Sequence, residues 1–442
     1  MYTFYVYLLG LQIVTFNKFD PSMANLERLQ SNPIHPEIQN GVVEWITSKN
    51  IRSIKKLPLI FWKSGDQWDE VNLWALEKAR NGDVKLKTIN TQMEHLHKYA
   101  NWLEETQIDW RHFPQKKAER VLVLWRGFLV DLRDRGGLGA STTTARMNAV
   151  IQFYRYADAH GFICHGSGMW EEKTVSIKYY DSIGFKRTLQ RITTDISIPN
   201  RARQGIRLED GLLPIRSEDM TALLQFTAEH ATPELYLMLL TGFYTGARLS
   251  TITTLRTHSL DQALPDPQNQ GFWLIPIGAG TGISTKFDVS GDLMIHESVM
   301  KSLRAYLTSS QRLDRAIKAP KENRSLLFLT RNGNPYTPNA VDGQMVRLRR
   351  EGLDAGLKFL VNFKFHQTRA TFGTWLMSIC LGVTSAKAAI EFVKRAMHHK
   401  HEATTFGYIT FLENTKTKIG LSNTFTEAFL GLASKCHDRD NA

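Results

Sequence analysis

The stretch LYLMLLTGFYTGARLS (235–250) places Arg248 directly after a very apolar predicted helix. Two further stretches follow it, HQTRATFGTWL (366–376) and MHHKHEATTFGY (397–408). Together the three stretches carry an ordered set of polar residues: Arg248, His366, Arg369, His399 and Tyr408. Arginines can clamp a phosphate, histidines can move its protons, and a tyrosine hydroxyl can attack phosphorus and hold it as a covalent ester. The set therefore predicts phosphodiester chemistry.

The two arginines of this set, Arg248 and Arg369, lie next to or within apolar predicted helices. His366 and Arg369 are three residues apart, so on one helical turn their side chains point the same way. A buried arginine needs an anionic partner, and neither arginine has an obvious carboxylate within one helical turn. We therefore expect Arg248 and Arg369 to meet a common anion.

Composition favours a polyanionic partner. The chain has 442 residues, a formal net charge of +12 and a pI near 9.5. A basic protein that binds no nucleic acid is the alternative on charge alone.

The chain has three cysteines that lie far apart in the sequence, Cys164, Cys380 and Cys436. This spacing supports neither a disulfide framework nor a zinc ribbon. The cysteine usage predicts a cytoplasmic protein, and a DNA partner predicts association with the nucleoid.

The N-terminal stretch MYTFYVYLLGLQIV (1–14) is apolar but lacks the features of a signal peptide. It is too short to span a bilayer, so no membrane partner is expected. Its aromatic and β-branched residues suggest a strand. Translation from Met23 is the other interpretation, and the sequence does not decide between the two.

Periodicity divides the chain into four parts. Residues 1–65 form a segment with no assigned role, and residues 66–165 show the apolar spacing of four helices with short connections, typical of a compact bundle. Residues 166–212 lose that periodicity and read as a basic, weakly structured linker. Residues 213–442 form a second domain with a C-terminal tail. In it, helices surround short strands that are predicted within 271–296.

These motifs resemble those of the tyrosine recombinases, or phage-type integrases. Members carry an arginine after a TG turn, a lysine in a β-hairpin, a helix that opens H-x-x-R, and a nucleophilic tyrosine nine residues after a second histidine. The resemblance implies catalytic roles for these residues: Arg248, Lys286, His366, Arg369, His399 and Tyr408. His398 stands where the family usually has glycine. Thr251 stands where an acid is common, which suggests a modified site.

The resemblance and the chemistry predict the same mechanism. The arginines would bind charge on the non-bridging oxygens, and His366 would take the proton of Tyr408, whose reference pKa is near 10. Lys286 would protonate the leaving oxygen and His399 would donate to a phosphate oxygen. No carboxylate cluster is apparent, so neither a metal nor another cofactor is expected. A zinc site at the nearby histidines has no closed ligand set.

Several basic residues outside the motifs are candidates for contact with DNA. Their side chains lie on a predicted helix of the first domain, in the linker, and in the run VRLRR: Arg146, Arg187, Arg191, Arg201, Arg203, Arg347, Arg349 and Arg350. A basic strap can follow a phosphate backbone, and a basic helix can lie against it. A solvated linker and a solvated helix face are the alternatives.

The sequence thus predicts a mainly α protein with a small β-sheet (α+β). A helical core DNA-binding domain would precede a tyrosine-recombinase-like catalytic domain. The expected partner is double-stranded DNA, bound by a homo-tetramer on two duplexes as the resemblance implies. A type IB-like topoisomerase is the nearest alternative function. A catalytically inactive DNA-binding accessory protein of the same fold is another, and Thr251 is the feature that favours it.

Overall fold

The computed structural model describes residues 3–6, 11–15, 22–39, 42–47, 53–164, 168–180, 186–200 and 208–416. The chain divides into two compact units, Met1–Gln204 and Gly205–Ala442. The boundary falls inside the predicted linker 166–212, whose last residues belong with the second unit.

Four helices form the body of the first unit, as their apolar spacing predicts. They are α1 (Asp69–Asn81), α2 (Leu86–Thr106), α3 (Val121–Asp134) and α4 (Ala140–Ala159). Aromatic side chains fill their common core. The Trp125 ring is fully buried, and the buried hydroxyls of Tyr99 and Tyr154 lie 2.8 Å apart. This hydrogen bond satisfies both hydroxyls inside an apolar core.

Strands precede these helices, and the predicted N-terminal strand is confirmed. The strands are β1 (Thr3–Val6), β2 (Leu11–Thr15), β3 (Asn25–Ser31), β4 (Ile34–Gln39), β5 (Val42–Thr47) and β6 (Ile54–Phe61). They pair antiparallel as β1–β2, β3–β6 and β4–β5. The buried Asn72 side chain of α1 accepts from the Ile60 amide at 2.7 Å and donates to the Ile60 carbonyl at 2.9 Å. These bonds satisfy the edge of β6 and join it to the helices.

The prediction of a weakly structured linker is wrong over 172–180 and 186–194. Strands β7 (Glu172–Tyr180) and β8 (Lys186–Thr194) pair antiparallel from Glu172↔Thr194 to Tyr180↔Lys186. The stretch VSIKY (175–179) alternates apolar and polar residues, whereas KRTLQRITT does not alternate regularly. A period of two indicates a strand, but here it holds over only part of β7, so periodicity does not predict the hairpin. The Thr, Val, Ile and Tyr residues of both sequences do favour strands.

The second unit surrounds a small sheet with helices. Its helices are α5 (Ser217–His230), α6 (Pro233–Thr245), α7 (Leu249–Thr253), α8 (Thr257–Asp261), α9 (Glu297–Leu307), α10 (Ser310–Lys318), α11 (Pro338–Asp354), α12 (Gln367–Val383), α13 (Ala386–Ala396) and α14 (residues 402–416). The strands β9 (Leu264–Pro265), β10 (Phe272–Ile277) and β11 (Gly291–His296) form an antiparallel sheet in the order β11-β10-β9. The mainly α fold with small sheets confirms the predicted fold class. The short helices α7, α8 and α10 were not predicted.

Helix α6 holds the second unit together. Its start matches the prediction, because Pro233 occupies the first turn and the Thr232 side chain accepts from the Leu235 amide at 3.3 Å. It packs against α12, and α12 in turn packs against α13. A separate cluster of buried side chains joins α12, α13 and α14, with Met397 and Tyr408 both fully buried in it. This packing brings the three sequence motifs to one place.

Within the described residues, no helix is both long and apolar enough to cross a membrane.

Candidate active site

Arg248 is placed by a glycine turn. Helix α6 ends at Thr245, and the φ of 63° at the next residue, Gly246, lies in the left-handed region. A Cβ at this position would also come within 2.4 Å of the Phe372 ring, so glycine is required on both counts. The chain then turns so that the partly buried Arg248 precedes the first residue of α7.

Arg369 lies in the first turn of α12 and is only 2% exposed. Its Nη1 atom donates to the Gly246 carbonyl and its Nη2 atom to the Met397 carbonyl, each at 2.6 Å. Its Nε atom lies 2.9 Å from the Oε1 atom of Glu209. Arg369 therefore meets an anion in this structure, and that anion is a carboxylate of the chain itself.

His399 and Tyr408 reach the same carboxylate from the segment after α13. The Nε2 atom of His399 lies 2.8 Å from Glu209 Oε1, and its Nδ1 atom lies 2.8 Å from the Thr405 hydroxyl oxygen. The Tyr408 hydroxyl donates to Glu209 Oε1 at 3.1 Å. The Tyr408 ring is fully buried, and a Cβ on Gly373 would come within 2.5 Å of it. The close approach of α12 thus fixes the tyrosine.

His366 completes the group. It precedes the first residue of α12, and its Nε2 atom lies 3.4 Å from Glu209 Oε2. Four of the six predicted catalytic residues therefore meet at one carboxylate. We call this group the Glu209 cluster, which consists of Glu209, His366, Arg369, His399 and Tyr408.

Sequence reasoning missed Glu209. It lies in a short 3-10 turn, Glu209–Gly211, and its side chain is 5% exposed. Its four partners are more than 150 residues away in the sequence. No local motif links such distant residues. The available signal was an acidic pair, Glu209-Asp210, directly after a basic segment.

The cluster shifts the pKa of its members. Burial works to raise the Glu209 pKa, but hydrogen bonds from His366 and His399 and the charge of Arg369 outweigh it and hold that pKa well below its usual range. Burial, reinforced by the Glu209 charge, raises the pKa of the Tyr408 hydroxyl. Burial, together with the charges of Arg369 and Arg248, lowers the pKa of His399, although Glu209 opposes the shift. The tyrosine is therefore held neutral beside a charged carboxylate.

Lys286 lies outside this cluster. It begins a 3-10 turn in the connection between β10 and β11, as its predicted hairpin position requires, and it is exposed. Its ammonium lies 5.5 Å from the centre of the Phe287 ring, and the Lys400 ammonium lies 5.4 Å from the same ring. Among the described residues, no hydrogen bond or ion pair joins Lys286 to the Glu209 cluster. Lys400 is thus a second lysine near this hairpin, and sequence reasoning did not single it out.

Thr251 has a structural partner. It is 4% exposed, and its hydroxyl donates to the Ser284 carbonyl at 2.9 Å. The bond joins α7, which follows Arg248, to the connection that carries Lys286. Thr251 therefore positions the hairpin through a hydrogen bond. An acidic residue, which the family commonly has at this position, would make a different contact.

The predicted DNA-contacting arginines fall into separate places. Arg146 is partly buried on α4, and Arg187 and Arg191 belong to β8. Arg201 and Arg203 lie outside the described residues.

On α11, Arg347 and Arg350 are exposed, and Arg347 pairs with Glu351 at 2.7 Å. Arg349 lies beside the site, because it lines a cavity of about 440 Å³ together with Lys364 and His366. Asp342 also lines the cavity, so the opening beside the Glu209 cluster carries two basic side chains, Arg349 and Lys364, against one acid.

A comparison with known families finds a match for most of the second unit. Residues 214–414 match the model of the phage integrase family. No curated protein matches the sequence.

Among solved structures, the chain is similar to the Tn1549 transposon integrase in complex with circular intermediate DNA. The identity is 15% and the TM-score 0.50, over 77% of this chain and 94% of that one. It is also similar to a lambda integrase dimer bound to a COC' core site, at 12% identity and a TM-score of 0.44, over 74% and 89% of the two chains. The first of these similarities supports the fold.

Proposed function

Residues 214–414 belong to the phage integrase family, and we propose that the chain is a site-specific DNA recombinase that cuts and rejoins DNA through a 3′-phosphotyrosine intermediate. The observation that carries the proposal is the convergence of His366, Arg369, His399 and Tyr408 on one anionic group. A phosphodiester is the anion that these side chains together can bind and cleave.

The cluster accounts for binding of the phosphate. Arg369 is fixed by two backbone carbonyls, so its Nε edge is preorganised toward an anion. Arg248 sits two residues after Gly246, whose carbonyl Arg369 contacts. Both guanidinium groups would therefore bind the non-bridging oxygens, where negative charge gathers in the transition state. His399, oriented by Thr405, would donate its Nε2 proton to the same oxygens.

Cleavage forms the bond from Tyr408 oxygen to phosphorus and breaks the bond from phosphorus to the 5′ oxygen. The tyrosine proton passes to His366, and the departing 5′ oxygen takes a proton from Lys286. Rejoining is the reverse, with the 5′ hydroxyl as nucleophile and Tyr408 as leaving group. The chemistry assigned to these residues needs no cofactor.

The partner in this proposal is double-stranded DNA, and recombination would use a homo-tetramer on two duplexes. Lys364 and Arg349 support a DNA path beside the site, because they line the cavity that His366 also lines. We also assign phosphate contacts outside the catalytic residues: Arg146, Arg187, Arg191, Arg201, Arg203, Arg347, Arg349 and Arg350. A recombinase acts on DNA in the cell, so we place the protein in the cytoplasm with the nucleoid.

A suicide substrate tests the function. A nicked duplex from the ends of the element that encodes the chain would lose a short 5′ hydroxyl fragment on cleavage, which traps the covalent complex. We expect wild type to give an adduct stable to denaturation, and two-duplex reactions to give recombinant junctions. Relaxation of supercoils without junctions would instead indicate a topoisomerase. DNA binding without adduct on any substrate would indicate an inactive accessory protein.

A further inference from the structure

We propose that Glu209 occupies the position of the scissile phosphate in the DNA-free protein, as an internal competitor that must leave before Tyr408 can react. The proposal rests on the proposed function, because the competing ligand is the phosphodiester of that reaction. It adds a regulatory role for a residue that lies outside the predicted catalytic set.

The geometry supports an anion mimic. Glu209 Oε1 faces Arg369 Nε at 2.9 Å, His399 Nε2 at 2.8 Å and the Tyr408 hydroxyl at 3.1 Å. Glu209 Oε2 faces His366 Nε2 at 3.4 Å. A carboxylate and a phosphate both present paired charged oxygens to a guanidinium group. The four side chains that Glu209 contacts are four of the six to which the proposed reaction assigns a role.

Glu209 and a phosphate cannot share these donors. The Nη1 and Nη2 atoms of Arg369 each donate one hydrogen bond to a backbone carbonyl, and its Nε atom lies 2.9 Å from Glu209 Oε1. The Tyr408 hydroxyl is likewise committed as a donor to Glu209, whereas attack requires its oxygen to face phosphorus. A second anion beside a carboxylate that is 5% exposed would also add like-charge repulsion in a poorly solvated place. Binding of one anion therefore excludes the other.

The alternative of Glu209 as a general base is weaker. A base must take a proton from Tyr408, yet four neighbouring side chains, through hydrogen bonds and the charge of Arg369, stabilise the charged form of this carboxylate. A carboxylate so stabilised has little tendency to accept a further proton. His366 is more exposed, at 26% of its side chain, and is better suited to exchange a proton.

The turn that carries Glu209 allows it to leave. Glu209 has a φ of 29°, in the left-handed region that strains a residue with a side chain. Leu208 is buried in the cluster around Tyr408, and its backbone bonds twice with Leu212, at 3.1 and 2.8 Å. These bonds fix the base of the turn. Rotation about the Glu209 side-chain torsions would withdraw the carboxylate from the cluster and leave that base intact.

Inorganic phosphate tests the mimic without DNA. Glu209→Ala should lower Tm in chloride, because Arg369 loses its buried counter-charge. Phosphate at matched ionic strength should then raise the Tm of Glu209→Ala, while wild type should respond little. Glu218→Ala, an exposed acid in the first turn of α5, is the matched control and should behave as wild type. A phosphate response of Glu209→Ala no larger than that of Glu218→Ala would overturn the proposal.

The suicide duplex tests the consequence for catalysis. Glu209→Gln keeps the size of the side chain and removes its charge. It can therefore be used in both the phosphate experiment and the adduct experiment even if Glu209→Ala does not fold. We expect Glu209→Gln to form adduct at least about tenfold faster than wild type at subsaturating DNA, the gain that follows if about a tenth of wild-type molecules are open. Glu218→Gln should leave the rate unchanged. Slower adduct formation in Glu209→Gln, with normal folding, would make Glu209 a required part of the site and overturn the proposal.

The phosphate experiment and the adduct experiment together distinguish failure of this inference from failure of the proposed function. If no variant and no wild type forms adduct, but phosphate stabilises Glu209→Ala, the recombinase function fails and the anion competitor stands. If wild type forms adduct and neither experiment responds to loss of Glu209, the function stands and the competitor fails.

Discussion

The Nη2 atom of Arg369 donates a 2.6 Å hydrogen bond to the carbonyl oxygen of Met397, the residue that follows α13. Its Nη1 atom makes an equal bond to the carbonyl of Gly246, the residue that follows α6. One side chain therefore joins the turn that leads to Arg248 with the turn that leads to His399. Arg369 is a structural link between two motifs as well as a candidate catalytic residue.

This link predicts a large loss of stability in Arg369→Ala. The substitution leaves the Glu209 carboxylate buried without its guanidinium and removes two hydrogen bonds to backbone carbonyls. We expect the free energy of unfolding to fall by about 3 kcal/mol, as for a buried ion pair that loses one partner. Urea titration measures it. Arg347→Ala, at an exposed pair with Glu351, is the control and should cost less than about 1 kcal/mol.

Arg248→Ala should separate catalysis from folding. Arg248 is only partly buried, so its loss should cost less stability than the loss of Arg369. Adduct formation should nevertheless fall at least about 100-fold, the scale for loss of one transition-state donor. DNA affinity, measured by anisotropy, should fall much less, because many other phosphate contacts supply it. Equal losses in affinity and cleavage would make Arg248 an ordinary DNA contact.

The sequence predicted the parts of the site that have local signals. The glycine turn before Arg248, the helix that opens at His366 and the spacing from His399 to Tyr408 each depend on neighbours in the chain, and the structure has all three. Glu209 could not be predicted, because its partners are distant in sequence and the fold alone brings them together. The β7–β8 hairpin was not predicted for another reason, since the alternation typical of a strand holds over only part of β7.

Tyr408→Phe should abolish adduct formation on the suicide duplex. The hydroxyl supplies the bond to phosphorus, whereas the ring supplies the packing against Gly373. Phenylalanine keeps that ring, so DNA affinity should stay within about twofold of wild type and the fold should be retained. Mass spectrometry of the wild-type adduct should place the modification on Tyr408. Adduct in the mutant would show that another residue is the nucleophile.

His398 predicts a pH-dependent loss of stability. Burial and the charge of Arg369, with a smaller effect of Arg248, lower its pKa to about 4, although the Asp292 backbone opposes the shift. The unfolded chain has an ordinary histidine with a pKa near 6.5. Between these values the unfolded state binds more protons, so this contribution is present above pH 6.5 and is lost as pH falls toward 4.

His398→Gly should remove that contribution. Its φ of 52° is left-handed, which suits the glycine that the family usually has here. On going from pH 7.5 to pH 5, wild type should lose up to about 2 kcal/mol more than the mutant in the free energy of unfolding. Urea titration at the two pH values measures the difference. His401→Ala, at an exposed histidine nearby, should behave as wild type, and an equal loss in His398→Gly would contradict the assignment.

Lys286 is the predicted catalytic residue with the least structural support, because its described contact is with the Phe287 ring and not with the Glu209 cluster. If its ammonium protonates the departing 5′ oxygen, Lys286→Ala should slow cleavage of ordinary DNA by about 100-fold or more. A substrate with sulfur at the bridging 5′ position should restore the rate, since a thiolate leaves without a proton. The same sulfur should not rescue Arg248→Ala, because that arginine acts on the non-bridging oxygens.

Lys301 and Lys400 make this test specific. Lys301 is 74% exposed and pairs with Glu297 at 2.9 Å, so Lys301→Ala should cleave both substrates at the wild-type rate. Lys400 approaches the Phe287 ring as closely as Lys286 does, at 5.4 Å against 5.5 Å. Sulfur rescue of Lys400→Ala but not of Lys286→Ala would therefore assign the role of general acid to Lys400, which lies beside the same ring. Rescue of neither lysine variant would remove the acid from this hairpin, and His399, whose Nε2 atom already faces the anion position, would be tested next.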